Sequence, residues 1–188
     1  SAIGLDGQKI SSYDIGFRLG PCINASGRLD TAMRSLALLQ AEDEDEAARL
    51  AGDLKALNDS RKALTETGTK SAYEMIDGSS LKDDRVLVVF LPECHESLAG
   101  IIAGRVREKY HRPAFVLTRG EQMVKGSGRS IEAYSMYEEL TKCKGLLEAY
   151  GGHPMAAGFS LKEENVEQFR RQLNANCSLT EEDMIPKI

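Results

Sequence analysis

The pattern of apolar and polar positions is most regular in the middle of the chain. Between about Asp43 and Ile76, apolar residues recur at helical spacing along one narrow stripe, and the acidic run at the start suits the positive end of a helix dipole. The pattern predicts one helix of roughly 50 Å, at about 1.5 Å per residue. A helix this long with so narrow a stripe is typical of a strut between two bodies.

Beyond about residue 84, strand and helix signals alternate. The continuous apolar run at 85–91 is typical of a central strand. The alternation predicts an α/β domain built around one sheet. Strands are predicted at 85–91, 113–119, 123–130 and 155–161, and helices at 97–110, 135–143 and 162–177.

The part before the long helix is less regular. Gly, Pro, Asn and Ser are concentrated between Gly20 and Gly27, which predicts a loop. Asp30 or Thr31 could then cap a short helix whose apolar side begins at Met33.

Composition narrows the class of protein. The 188 residues suit one domain, or a small domain with an appendage, and no apolar run reaches the roughly 18 residues that span a membrane. The first ten residues lack the basic and apolar regions of a signal peptide. The four cysteines form no CxxC pair, which argues against a zinc site or a disulfide scaffold, so we expect a cytoplasmic protein with reduced thiols. The net charge of −5 means that any nucleic acid must be contacted locally, through a few arginines.

The sequence KGSGRS, residues 125–130, is a first candidate binding site, with Ser127, Arg129 and Ser130 as its polar members. An arginine offers a planar fork that suits phosphate, hydroxyls add donors, and glycines let a ligand approach the backbone. Side chains alternate along a strand, so Ser127 and Arg129 are predicted to share one face. A surface turn would show the same pattern.

A second candidate is the sequence AYGGHPMAAGF, residues 149–159. Gly151 and Gly152 could direct backbone N–H groups toward an anion, and His153 could donate a hydrogen bond to a phosphate oxygen. Alone, this stretch could also be a turn that leads into a strand. Two such clusters in one small domain strengthen the phosphate-binding interpretation.

Two further stretches carry polar side chains at predicted element ends. PCINASGRLD places Asn24 and Arg28 just before a predicted helix, whose N-terminus suits anions, although a polar capping loop would look the same. ECHESLAG follows the first predicted strand, at the edge where ligand sites of α/β domains usually lie. His95 and Glu96 are therefore candidates as well, and His95 could instead cap the next helix.

No cluster of Asp and His residues in the sequence has the spacing expected of metal ligands. Phosphodiester hydrolysis usually uses one or two divalent ions held by Asp, Glu or His, and the chain has only three histidines. The acidic run at 42–46 could be interpreted as a metal cluster, but a solvated helix start explains it better. The sequence predicts a binding surface without its own metal centre.

In this order, the segments LGPCINASGRLDTA, CHESLAGIIAGRVREKYHRPAFVL, KGSGRS and GGHPMAAGFSL resemble the RecJ-type single-stranded-DNA-specific exonucleases of the DHH phosphoesterase superfamily. The segments cover most of residues 15–161. The resemblance implies an α/β fold in which a long connecting helix is followed by a compact DHH-associated domain with a central mixed sheet. It assigns the tail of the catalytic DHH domain to residues 1–41, the connecting helix to 42–78 and the phosphate- and nucleic-acid-binding domain to 79–188.

The resemblance also implies roles for individual residues. Asn24 and Arg28 match a segment that faces the DNA backbone near the cleavage site. Ser127 and Arg129 match the family's Ser-x-Arg motif, and residues 151–153 match its Gly-Gly-His motif. Both motifs hold substrate phosphates in the family.

The enzyme implied by the resemblance is a metal-dependent 5′–3′ exonuclease of single-stranded DNA, acting in repair and recombination. Its Mn²⁺ or Mg²⁺ ions would be bound by motifs that this chain lacks, so we expect a catalytic DHH domain in cis, no catalytic residue or metal ligand here, and no membrane partner. Single-stranded DNA is the expected ligand, and the chain alone is expected to be inactive. Two alternatives remain, which are an oligonucleotide or cyclic-dinucleotide phosphodiesterase of the same superfamily and a non-catalytic nucleic-acid-binding module.

Overall fold

The structure is a computed structural model that describes residues 3–4 and 9–186. Two compact units divide the chain at residues 64 and 65, inside one long helix. None of the helices in the described ranges is both long and apolar enough to cross a membrane.

The regular elements in the described part of the first unit are all helical. Ser11 forms a capping box with Asp14 at the first helix, and a π-helical turn then leads directly into the second. The elements are α1 (Ser12–Asp14), the turn Ile15–Leu19, α2 (Gly20–Leu29), α3 (Met33–Gln40) and the larger part of α4 (Glu44–Asp77).

The predicted loop between Gly20 and Gly27 is wrong, because this stretch lies within α2. Pro21 occupies the first turn, where a helix does not need its N–H. Ser26 is fully buried, and its hydroxyl forms a 2.7 Å hydrogen bond with that of Ser35 in α3. Packing of this kind outweighs the weak helix propensity of Gly, Asn and Ser.

Helix α3 confirms the predicted short helix, but its predicted apolar side is not buried. Thr31 accepts a hydrogen bond from the Met33 N–H at 3.3 Å, close to the expected cap. Met33, Leu36 and Leu39 are 63, 42 and 70% exposed. These side chains leave an apolar surface on the first unit.

Helix α4 confirms the long helix within one residue at each end, and its 34 residues correspond to about 51 Å. The Asp43 carboxylate accepts a hydrogen bond from the Glu46 N–H at 2.8 Å, so the acidic run caps the helix. Gly78 donates to the Glu74 carbonyl as the helix ends.

The second unit confirms the α/β class, with a five-stranded mixed sheet. The strand order is β1-β2-β3-β5-β4, in which β1 and β2 are parallel and the remaining neighbours are antiparallel. The strands are β1 (Leu87–Phe90), β2 (Ala114–Arg119), β3 (Val124–Arg129), β4 (Leu147–His153) and β5 (Ala156–Leu161), and the helices are α5 (Ala99–Tyr110), α6 (Met136–Lys142) and α7 (Val166–Asn176).

Strand β4 was not predicted, because its two glycines resemble a turn. It pairs with β5 from Leu147 to His153 and forms the outer edge of the sheet. Its regularity comes from this pairing, since the local sequence has little β propensity around Gly151 and Gly152.

The two faces of the sheet are covered differently. On one face, Phe115 and Phe159 pack against Phe169 of α7, in a core that also includes α6. On the other face, α5 packs on β1, β2 and β3. Beyond α5, that second face is exposed at Gly151, His153 and Gly158, and we call this uncovered part the open face.

Candidate nucleic-acid interface

Three polar side chains of β3 lie on the same side as the open face. Burial alternates along the strand, with Val124, Gly126 and Gly128 buried and the residues between them more exposed. The predicted shared face of Ser127 and Arg129 follows from this alternation, and Lys125 belongs to the same face. Sequence reasoning missed Lys125, although the period of two that paired Ser127 with Arg129 also included it.

Arg129 and His153 occupy one row across the sheet. Arg129 pairs with Ala156, and Ala156 pairs with His153. Directly paired residues of antiparallel strands point to the same face, and neighbouring strands lie about 4.8 Å apart. The two backbone positions are therefore roughly 10 Å apart, with the small side chain of Ala156 between them. Arg129 and His153 therefore belong to one face of the sheet, on either side of Ala156.

The Arg129 guanidinium lies beside the N-terminus of α5. Its Nη1 donates a 2.7 Å hydrogen bond to the Gly128 carbonyl. A Cβ atom on Gly100, in the first turn of α5, would come within 2.7 Å of Nη2. A cation near a helix N-terminus opposes the helix dipole, so the two positive charges together favour a bound anion.

The two glycines of the Gly-Gly-His stretch differ in role. Gly152 has φ of 149°, and a Cβ atom there would overlap the backbone of Ala156 and Ala157. A Cβ atom on Gly151 would meet nothing within 4 Å. The backbone conformation requires Gly152, whereas Gly151 leaves empty space above the sheet.

The glycines of KGSGRS do not provide ligand access, contrary to expectation. Cβ atoms on Gly126 and Gly128 would overlap the rings of Phe159 and Phe115, respectively. Both glycines point away from the open face and make room for core aromatic rings.

Ser130 is also placed differently from its predicted role. It is 1% exposed, and its hydroxyl donates a hydrogen bond to the Tyr134 carbonyl. As the residue after Arg129, it points to the opposite side of the strand. We therefore leave Ser130 out of the phosphate-binding set.

His95 caps the short helical turn that precedes α5. Its Nδ1 accepts a hydrogen bond from the Ser97 N–H at 3.3 Å and lies 2.8 Å from the Ser97 hydroxyl. A neutral imidazole whose Nδ1 accepts from an amide carries its proton on Nε2. Glu96 is exposed and lines an open groove of about 570 Å³ together with Lys125 and Arg119.

Asn24 and Arg28 lie in the first unit, on α2. Both are exposed, and residues four apart in a helix share one side. They are inside the helix and not ahead of its N-terminus, so the anion site expected at a helix start is wrong. Arg28 belongs to the last turn, where a cation complements the helix dipole.

The described residues contain no group of three or more His, Cys, Asp or Glu side chains that could hold a metal ion. All four cysteines are free thiols. Burial raises the pKa of Cys94 above its ordinary value, and Cys143 likewise has a pKa raised to about 11. The thiols of Cys94 and Cys143 are therefore poor metal ligands and nucleophiles near neutral pH.

The second unit contains a known domain. Residues 83–179 match the DHHA1 domain family, which is more than half of the chain. The chain belongs to the DHHA1 domain family.

Among curated relatives, it is similar to the single-stranded-DNA-specific exonuclease RecJ. The Bacillus subtilis protein is 40% identical over 92% of this chain and 22% of its own length. The Escherichia coli protein is 37% identical over 89% of this chain and 30% of its own length. The chain thus spans less than a third of these relatives.

The chain is also similar to solved structures of RecJ. The crystal structure of Thermus thermophilus RecJ with Mg²⁺ superposes with a TM-score of 0.82 at 33% identity, over 93% of this chain and 27% of that one. The Mn²⁺ complex of the same protein gives 0.80 at 34% identity, over 90% and 25% of the two chains. The chain is therefore similar to part of these RecJ proteins, and its fold is of the mixed α/β class.

Proposed function

We propose that this chain is the substrate-binding part of a metal-dependent 5′–3′ exonuclease of single-stranded DNA. The row formed by Arg129, Ala156 and His153 carries the proposal. It puts two nitrogen donors on either side of a small residue on an exposed sheet face, next to a helix N-terminus. This arrangement suits a phosphodiester.

In the proposed complex, one phosphate lies above Ala156. Arg129 offers its planar fork to two phosphate oxygens, and His153 donates to a third. Ser127 and Lys125 lie on the same face of β3, and alternate residues of a strand are about 6.6 Å apart. The DNA backbone would follow β3, with Gly151 and Gly158 leaving space for it over the sheet. On α2 of the first unit, Asn24 and Arg28 would contact the backbone near the scissile bond.

These residues act on the substrate by position and charge. They neutralise the phosphates and hold the DNA strand in one position on the protein. Both effects lower the activation barrier of hydrolysis, and no covalent bond to the protein is needed. Mn²⁺ or Mg²⁺ held by a DHH domain in cis would supply the activation of the attacking water. We assign no metal ligand to the described residues.

The apolar surface of the first unit supports a DHH domain in the same polypeptide. Tyr13 and Phe17 are 65 and 70% exposed, and their rings stack at 4.8 Å. Ile15 and the exposed side of α3 add further apolar area to the first unit, and an exposed apolar area beyond scattered single residues is typical of an interaction site. We propose that the DHH domain covers this surface.

The proposal is tested by DNA binding of the full-length protein, measured in EDTA so that cleavage does not interfere. Arg129→Ala is expected to lose about 1–3 kcal/mol of binding free energy, because a charge-assisted contact is removed. Arg171→Ala is the matched control, since Arg171 is exposed on α7, the helix that packs against the other face of the sheet.

Equal binding by the Arg129→Ala variant and the wild type at low salt would refute the proposal. Competition with dinucleotides separates the two phosphodiesterase functions. A preference for dinucleotides over long single strands would replace the exonuclease proposal with the small-nucleotide one.

A further inference from the structure

The guanidinium of Arg129 rests against Gly100, the last residue of the stretch ECHESLAG, in which only His95 and Glu96 were candidate site residues. A Cβ atom built on Gly100 would lie 2.7 Å from Nη2, 3.4 Å from Cζ and 3.6 Å from Nη1 of Arg129. A methyl group at position 100 would thus overlap Nη2, and it would lie at contact distance from Cζ and Nη1. The flat group lies over the backbone of the first turn of α5.

A second contact fixes the rotation of the same group. Nη1 donates to the Gly128 carbonyl at 2.7 Å, so one nitrogen is tied to β3 while the flat group lies on α5. Arg129 is half-buried as a result. An arginine held in this way loses less side-chain entropy when it binds a ligand than a freely rotating one does.

We propose that Gly100 is a positioning residue for substrate binding, because only glycine leaves room for the Arg129 guanidinium beside the N-terminus of α5. This inference rests on the proposed phosphate-binding role of Arg129. Any side chain at position 100 would displace the guanidinium from the place that it occupies beside the first turn of α5.

The displaced atom is the far end of a flexible side chain, so the fold itself tolerates the change. Alanine also has a higher helix propensity than glycine. A substitution at position 100 should therefore weaken DNA binding and leave the stability of the fold unchanged or higher.

Gly104 provides a matched control, one turn further along the same helix. A Cβ atom there would meet nothing within 4 Å. Gly100→Ala and Gly104→Ala thus add the same methyl group to the same helix, and only the first approaches Arg129.

The experiment measures the affinity of full-length Gly100→Ala and Gly104→Ala for a 5′-phosphorylated single strand, together with thermal melting of both. Gly100→Ala is expected to weaken binding at least about fivefold, while Gly104→Ala stays within about twofold of the wild type. Both should melt at or above the wild-type temperature. A Gly100→Ala variant that fails to fold, or that binds like Gly104→Ala, would overturn the inference.

A double-mutant cycle identifies the residue through which Gly100 acts. In the Arg129→Ala background, Gly100→Ala should have no further effect, because the group that it displaces is gone. Gly100→Ala alone should also reduce the slope of log affinity against log salt by up to about 0.7, the share of one phosphate contact. An equal loss of affinity in both backgrounds would show that Gly100 acts by another route and refute its positioning role.

The proposed function fails separately from this inference. If Arg129→Ala binds like the wild type, the phosphate-binding role of Arg129 is wrong, and the positioning role of Gly100 is wrong with it. If Arg129→Ala weakens binding and Gly100→Ala does not, only the inference about Gly100 is overturned.

Discussion

At the scale of single residues, the proposed interface depends on small side chains as much as on charged ones. Because Gly151 and Ala156 are small, they leave space above the sheet for the proposed phosphate. The proposed donors, Arg129 and His153, lie on the same face. The two glycines of β4 nevertheless differ, because Gly151 lies on the open face and Gly152 does not.

The adjacent glycines of β4 allow a direct comparison. Gly151→Ala should leave the free energy of unfolding within about 0.5 kcal/mol of the wild type and weaken DNA binding, because the added methyl enters empty space above the sheet. Gly152→Ala should destabilise by at least about 1–3 kcal/mol, because its backbone conformation disfavours a side chain and the methyl overlaps β5. Urea denaturation and DNA titration of both variants check this. Equal destabilisation by the two would contradict it.

Lys125 should contribute one electrostatic contact. It is exposed and makes no hydrogen bond or ion pair with residues in the described parts of the chain. Lys125→Ala should therefore reduce the salt slope of single-strand binding by about 0.7, with a similar effect for every sequence. Lys144→Ala is the control, because Lys144 follows α6 on the other side of the sheet. The salt slope of the Lys125→Ala variant should be smaller than that of the Lys144→Ala variant. Identical slopes for the two variants would exclude Lys125 from the interface.

At the scale of elements, side-chain contacts connect the C-terminal end of α4 with the C-terminal end of α5. Asp77, the last residue of α4, accepts hydrogen bonds from the Tyr110 hydroxyl at 2.8 Å and the Lys109 ammonium at 3.0 Å. These contacts offset the unfavourable position of a carboxylate at a helix C-terminus. The hydrogen bond from Tyr110, followed by that from Lys109, lowers the pKa of Asp77 below its ordinary value.

This lowered pKa predicts a pH dependence of stability. A carboxyl whose pKa is lower in the folded state stabilises the protein above the unfolded pKa, near 3.9, and loses that contribution as the pH falls through the folded value. Asp77→Asn should therefore reduce the melting temperature at pH 7 and have little effect near pH 2. Asp83→Asn, at an exposed carboxylate of the following turn, is the control. A loss that is the same at both pH values would show that the charge of Asp77 is not responsible.

At the scale of the whole molecule, the chain is expected to bind DNA without cutting it. The 188-residue chain with Mn²⁺ should show no release of nucleotides from a 5′-labelled single strand, while the full-length protein degrades the strand under the same conditions. The reason is that the metal ligands are proposed to lie in the DHH domain. Metal-dependent cleavage by the chain alone, abolished by EDTA and unaffected by further purification, would contradict this division of roles.

Several parts of the architecture could be predicted because their signals are local. The stripe in α4, the apolar run of β1 and the alternation in β3 each repeat at the period of one element, so the order of residues alone identifies them. The shared side of Ser127 and Arg129 follows from the same period. The capping role of His95 was open in the sequence and needed the position of Ser97.

Other parts depended on partners that are distant in sequence. The stretch from Gly20 to Leu29 is helical because Ser26 meets Ser35, and β4 is a strand because β5 lies beside it. Ser130 carried the same donor as Ser127, and only its burial against Tyr134 showed that it faces the core. Nothing in the local sequence distinguishes such cases.

The sequence by itself determined the long helix, the α/β class and the short motifs, because each depends on a pattern among residues that are close together along the chain. The tertiary structure alone decided which glycines face the open side, that Arg129 and His153 share one row, and that Gly100 lies under the guanidinium. Those relations join residues that are far apart along the chain, and they arise only when strands pair and α5 packs on the sheet. Hydrogen bonding between strands and close packing select them, and neither leaves a periodic signal in the order of residues.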